Sequence, residues 1–165
     1  MEPCNPHHLP APGERATGDL SAEELFVVGS LRAWVSPLMR PGTPCPDWKE
    51  IFRLAAVGGE ASAGFDRLMS IIGTSAQRII EVRCCSCPSL GADEVNMLHL
   101  VAALQMADRT GAIDIIADWV APAFVAAALR GAEQFAAGTM EAALWLPPQT
   151  ALPAPARRPE GALLH

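Results

Sequence analysis

Three closely spaced cysteines are the residues of this chain most able to do chemistry. Cys84, Cys85 and Cys87 combine a C-x-x-C spacing with a C-x-C spacing. Thiolates bind zinc or iron, and neighbouring thiols exchange disulfides. The cluster therefore supports a metal-site hypothesis and a thiol-redox hypothesis. A third interpretation is purely structural, with three small apolar side chains filling the approach to a buried helix.

A metal site at this cluster needs one more ligand. Tetrahedral zinc takes four nitrogen or sulfur ligands, and the cluster supplies three. The candidates for the fourth are Cys4, Cys45, His7, His8, His99 and a residue of a second subunit. No second ligand pair has the spacing of a zinc knuckle. A zinc or iron site at Cys84, Cys85, Cys87 and His99 is thus a hypothesis, and a structural histidine is the alternative for His99.

In the redox hypothesis, Cys84 attacks and Cys87 resolves, with the positive end of the following helix favouring a thiolate. Thioredoxin-like proteins hold this pair in a strand-to-helix turn, and the chain lacks alternating strands and helices to supply one. Residues 1–18 show neither the basic start nor the apolar core of a secretory signal. We therefore expect a cytoplasmic protein whose cysteines are thiols or ligands.

The cysteines lead into a segment that is apolar on nearly every side. It runs from Ala92 to about Thr110, with Gly91 at the N-cap, Glu94 at the capping-box position and Gly111 as the expected end. A helix that is apolar all round is buried in a water-soluble protein. The sequence therefore predicts a central helix that other helices surround.

Periodic apolar residues predict the surrounding helices. A capping box at Ser21 and Glu24 begins the first, which Pro37 should end. The others are a short helix from Asp47 to Gly58, one from about Ala61 to Ile72 stopped by Gly73, one over 112–120, and one from Pro122 that Gly131 and Gly138 weaken. Residues 74–83 are ambiguous, because the β-branched Ile79, Ile80 and Val82 could be extended or could form a last helical turn, and we favour a short helix or an irregular segment. A final turn over 140–145 could be separate.

This pattern predicts an all-α bundle of five or six helices in a single domain, residues 21–146. Residues 1–20 and 147–165 are rich in proline and poor in large apolar residues, so we expect disordered tails. No apolar stretch is long enough to cross a bilayer without interruption, so no membrane insertion is expected.

The net charge of the chain indicates which classes of partner it could bind. A net charge of −6 and a pI near 5.1 make nucleic acid an unlikely partner in general. The segment from Leu54 to Leu68 nevertheless has a loose helix-turn-helix pattern, which keeps a DNA-binding regulator as an alternative. Lys49 is the only lysine and tyrosine is absent, a bias typical of GC-rich bacterial genomes.

No phosphate loop, nucleotide fingerprint, HExxH or nucleophile elbow is present, so we expect no enzyme. The function expected is non-catalytic and exerted through protein–protein contacts, as a scaffold, adaptor or regulatory subunit. Its partner is another protein or a second copy of the chain. Four tryptophans could serve such an interface or the core: Trp34, Trp48, Trp119 and Trp145.

Overall fold

The chain is helical in the computed structural model, which describes residue 10 and residues 12–150, except for the side chain of Gln149. Within these residues there are six α-helices and no β-strand. They are α1 (Ala22–Met39), α2 (Trp48–Leu54), α3 (Gly59–Ser75), α4 (Ala92–Gln105), α5 (Arg109–Trp119) and α6 (Pro122–Glu141), with 3-10 turns at Thr17–Asp19 and Pro148–Thr150. The all-α prediction and the number of helices are confirmed.

Helix α1 begins where the sequence predicts and ends later. The Ser21 hydroxyl accepts the Glu24 N–H at 3.2 Å, and the Glu24 carboxylate accepts the Ser21 N–H at 3.0 Å, which completes the capping box. The prediction that Pro37 ends this helix is wrong, because α1 continues to Met39. Pro37 lies in the last turn, where its missing N–H removes only one intrahelical hydrogen bond.

Three helix ends predicted at glycines are also wrong, the first being that of α2, which ends at Leu54 and not at Gly58. Helix α3 passes through Gly73 to Ser75, and Gly111 lies inside α5. The helical conformation instead ends after α4, where Ala107 has a φ of 58°. Asp108 then caps α5, because its side chain accepts the Gly111 N–H at 2.9 Å. A glycine inside a helix costs only about 1 kcal/mol, which a capping aspartate and packing outweigh.

Helix α4 is the central helix. It contacts α1, α5 and α6, and its residues Met97, Leu98, Leu100 and Val101 are almost completely buried. The predicted buried centre of the bundle is therefore present, although α4 is shorter than expected.

The glycines of α6 bring α6 close to α3. A Cβ on Gly131 would lie 2.7 Å from the carbonyl oxygen of Gly64, and one on Gly138 would collide with Ala61. These glycines were expected to weaken α6, but they permit its close approach to α3. Helix α6 also begins at Pro122 as predicted and runs unbroken to Glu141. A turn at residues 142–143 follows α6 directly, and in it the Ala143 N–H donates to the Met140 carbonyl at 3.0 Å.

Contacts with the domain extend into both predicted tails. Arg15 forms a 2.7 Å ion pair with the buried Glu24, and Thr17 N–H donates to the Pro88 carbonyl at 2.7 Å. The hydroxyl of Thr150 also donates to Glu24. The other residues of the predicted tails mostly lie outside the described part, so disorder there stays a prediction.

Among the described residues, no helix combines the length and the apolar character needed to cross a membrane.

Candidate functional site

The clustered cysteines lie in the loop between α3 and α4, and we call residues 84–91 the cysteine loop. Cys85 forms a disulfide with Cys45, which lies in the loop between α1 and α2, with a Cα–Cα distance of 6.0 Å. Cys84 is disulfide-bonded as well, and Cys87 is a buried free thiol. The expectation of thiols or ligands is thus wrong for Cys45, Cys84 and Cys85. The fold brings together loops that are 40 residues apart in sequence.

The residues proposed as metal ligands are not gathered into one site. The sulfurs of Cys84 and Cys85 are held in disulfides, and His99 lies inside α4. In the part of the chain that the structure describes, no group of three histidine, cysteine, aspartate or glutamate residues is placed to hold a metal ion. A metal site at Cys84, Cys85, Cys87 and His99 would need the reduced protein, and it stays a prediction.

The C-x-x-C residues are close but not bonded to each other. The Cys87 N–H donates to the Cys84 carbonyl at 3.1 Å, which closes a turn. The Cys87 sulfur lies 3.9 Å from the Ser89 hydroxyl, and the side chain is 6% exposed. The redox pairing predicted from sequence is therefore not the pairing present, although a disulfide and a free thiol lie within one short loop.

A buried ion pair fixes the cysteine loop against the helices. Arg32 of α1 and Glu94 of α4, with exposed fractions of 3% and 0%, lie 2.7 Å apart (Nε to Oε1). Arg32 also donates to the carbonyls of Cys87 and Ser89, each at 2.8 Å, while Glu94 accepts the Gly91 N–H at 2.8 Å. A buried ion pair is costly unless its groups are hydrogen-bonded, and these are. Sequence reasoning assigned only the cap to Glu94 and missed Arg32, whose one signal was an arginine inside an apolar helix.

A second buried carboxylate, Asp93, ties the preceding segment to α4. It accepts hydrogen bonds from Arg78 at 2.6 and 2.8 Å, from Trp119 Nε1 at 2.9 Å and from the Glu81 N–H at 2.7 Å. Burial alone would raise the pKa of Asp93, but these hydrogen bonds and the charge of Arg78 lower it to about 2. Asp93 is therefore a structural anion.

The segment that Asp93 and Glu94 hold is extended. Residues 79–84 contain no turn or bend, which agrees with the irregular alternative predicted for 74–83. The N–H of Glu81 donates to Asp93, and the N–H of Arg83 donates to Glu94 at 3.1 Å. The N–H groups of Ile80 and Val82 have no hydrogen-bond partner within the described residues.

A groove separates this segment from the C-terminal half of α1. Val35, Met39 and Arg40 line one wall, and residues 79–84 line the other. The groove has a volume of about 200 Å³. Ile79 is 92% exposed and Met39 is 53% exposed, so large apolar side chains meet water at this place. We call it the α1–Ile79 groove.

A wider cavity of about 610 Å³ lies beside the groove. Trp48 and Lys49 line this cavity, and Arg40 and Thr43 line both the cavity and the groove. Cys45 also lines this cavity, so the Cys45–Cys85 disulfide anchors the loop that forms its wall.

The other residues singled out from sequence lie elsewhere. His99 is half-buried, and its Nδ1 has no hydrogen-bond partner in the described part. Burial lowers the pKa of His99, and the charge of Arg15 lowers it further. Trp119 is in the core, Trp34 and Trp48 are partly buried against it, and Trp145 is 55% exposed.

Helices α2 and α3 occupy the predicted helix-turn-helix segment. The exposed face of α3 carries Glu60 and Asp66 beside Arg67, and Arg67 donates to Gln134 at 2.9 Å. This balance of charges does not favour contact with DNA phosphates.

The chain matches no protein-family model, no curated protein and no solved structure.

Proposed function

We propose that this chain is a non-catalytic cytoplasmic bacterial protein that acts through protein–protein contacts, and that the α1–Ile79 groove is its contact surface. The observation that carries the proposal is the exposure of Ile79 and Met39 beside an apolar groove. Apolar side chains grouped at a concave surface favour a partner, because its binding removes them from water.

Single exposed apolar residues are common on proteins, so grouping and backbone distinguish this surface. Leu54 and Met106 are 71% and 65% exposed, and neither lines a groove described here. Ile79 instead adjoins the backbone donors of Ile80 and Val82, which a partner could satisfy. The groove thus offers apolar area and hydrogen bonds together.

Affinity capture with three forms of the full-length chain tests the proposal. The wild type is compared with a Met39→Ser, Ile79→Ser variant and with a matched Leu54→Ser, Met106→Ser control. We expect a partner, or a second copy of the chain, that the control retains and the groove variant loses. Equal capture by all three forms, or a strict monomer that captures nothing, would contradict the proposal.

A thiol-redox function is the second candidate, because two disulfide-bonded cysteines and a free thiol occupy the cysteine loop. Cytosolic disulfides are usually transient, so in that compartment Cys45–Cys85 would alternate between oxidised and reduced states. Rapid alkylation in intact cells, followed by mass spectrometry, measures both states. Oxidation that persists in reductant-replete cells would mark a purely structural disulfide and contradict the redox candidate.

A further inference from the structure

We propose that the α1–Ile79 groove binds an extended peptide segment of a partner protein, which adds a β-strand along residues 80–82 and sets a carboxylate against Arg40. This inference rests on the proposed function and names the kind of partner that the groove fits.

The first argument is the direction of the backbone donors. In an extended chain, successive N–H groups point to opposite sides. The Glu81 N–H donates to Asp93 and the Arg83 N–H donates to Glu94, while the Glu81 carbonyl faces Gly91. The N–H groups of Ile80 and Val82 therefore point away from α4, along an edge without a partner among the described residues. An unpaired extended edge is a template for another strand.

The second argument is the shape of the groove beside that edge. Helix α1 forms the opposite wall, so a bound segment would lie between a helix and a strand-like edge, as in β-strand addition. Side chains alternate along a strand, so every second residue of the peptide would face Val35 and Met39. The groove accordingly selects apolar residues at alternate positions.

The third argument is charge. Arg40 lines the groove, and its guanidinium has neither an ion-pair nor a hydrogen-bond partner in the part of the chain that the structure describes. Arg78 and Arg83, by comparison, each pair with carboxylates at 2.8 Å or less. An unpaired guanidinium that lines an apolar groove is complementary to an acidic side chain or to a C-terminal carboxylate.

The experiment selects a peptide and then tests how it binds. A phage library of random eight-residue peptides with free carboxyl ends is selected against the oxidised full-length chain, and the best binder is synthesised. Amide hydrogen exchange is followed by NMR with and without this peptide. We expect exchange to slow at Ile80 and Val82 and to change little at Glu81 and Arg83, whose donors are already paired.

Backbone methylation of the peptide gives a second measurement. Two isomers are made, each N-methylated at alternate residues, so that each lacks the donors of one edge. We expect one isomer to lose about tenfold or more in affinity, about the effect of losing one or two hydrogen bonds, and the other to bind like the parent. Arg40→Gln should weaken the free-acid peptide more than its amidated form, while the matched Arg130→Gln variant should affect neither.

Three results would overturn the inference. The first is that the library yields no binding peptide. The second is that the two methylated isomers bind with equal affinity and that the peptide changes amide exchange equally along residues 80–83. The third is that the chain forms a dimer that the peptide dissociates. The last result would make a second copy the occupant. In each case, capture of a partner by the wild type and the control but not by the groove variant would still support the proposed function. The proposed function fails when the groove variant captures the partner as well as the wild type does.

Discussion

Replacing Asp93 by asparagine isolates the charge at the centre of the buried network. The substitution keeps the size of the side chain and an acceptor oxygen for Trp119, but it removes the negative charge that faces Arg78. The folded-state pKa is about 2, against an ordinary 3.8. By linkage, this lowering of the pKa contributes about 2 kcal/mol to the free energy of unfolding. We expect the free energy of unfolding at pH 7 to fall by about 2 kcal/mol.

The contribution of Asp93 to the free energy of unfolding should decrease as the pH falls. Because folding lowers the pKa of Asp93, its contribution is complete above about pH 4 and is lost as the pH falls through about 2. Urea unfolding, followed by circular dichroism at pH 7, 4 and 3, should therefore show the gap between wild type and Asp93→Asn narrowing in acid. A gap that stays constant with pH would refute the electrostatic reasoning.

Asp118 provides the matched control. It also binds Arg78, at 2.5 Å, but it is 59% exposed. Exposed ion pairs contribute about 0–1 kcal/mol, so Asp118→Asn should cost less than about 1 kcal/mol. Equal losses from the two substitutions would show that burial and the Trp119 and Glu81 hydrogen bonds do not set the strength of the Asp93 interaction.

Three other predictions concern stability. The double Cys45→Ser, Cys85→Ser variant should lose about 4 kcal/mol, the chain-entropy value for the 40-residue separation, and the wild type with reductant should lose at least as much in urea unfolding, because reductant also opens the disulfide at Cys84. Folding lowers the pKa of His99, so its neutral form stabilises the protein fully above about pH 6.5 and progressively less below it; His99→Gln should flatten the stability profile between pH 7 and 5. Gly131→Ala should cost about 1–3 kcal/mol in thermal unfolding because its Cβ meets the backbone of α3, while Gly29→Ala, with nothing within 4 Å, should be neutral or stabilising.

The sequence predicted what local chemistry determines. The helix starts at Ser21 and Pro122 depend on residues within one turn, and both are found. The ends predicted at Pro37, Gly73 and Gly111 failed because a modest local cost is outweighed by packing or by a neighbouring cap. Local sequence signals therefore predicted the positions of the helices better than the residues at which the helices end.

The candidate site depends on contacts that no local pattern contains. Arg32 and Glu94 are 62 residues apart, and the disulfide joins Cys45 to Cys85 across 40. The cysteine cluster was visible in the sequence, but its pairing was not, because pairing depends on which loops the bundle brings together. The α1–Ile79 groove was missed because nothing in the sequence tells which N–H groups Asp93 and Glu94 bind.

The two candidate functions meet at the loop after α1. Arg40 and Thr43 line the groove, and the same loop is anchored at Cys45 by its disulfide. Reduction removes that anchor, so the loop carrying Arg40 gains freedom and must be ordered again when a peptide binds, at a cost in free energy. Peptide affinity should therefore fall on reduction, and the Cys45→Ser, Cys85→Ser variant should bind weakly whether or not reductant is present. Affinity that is unchanged in both comparisons would separate the disulfide from binding and leave it a stabilising crosslink only.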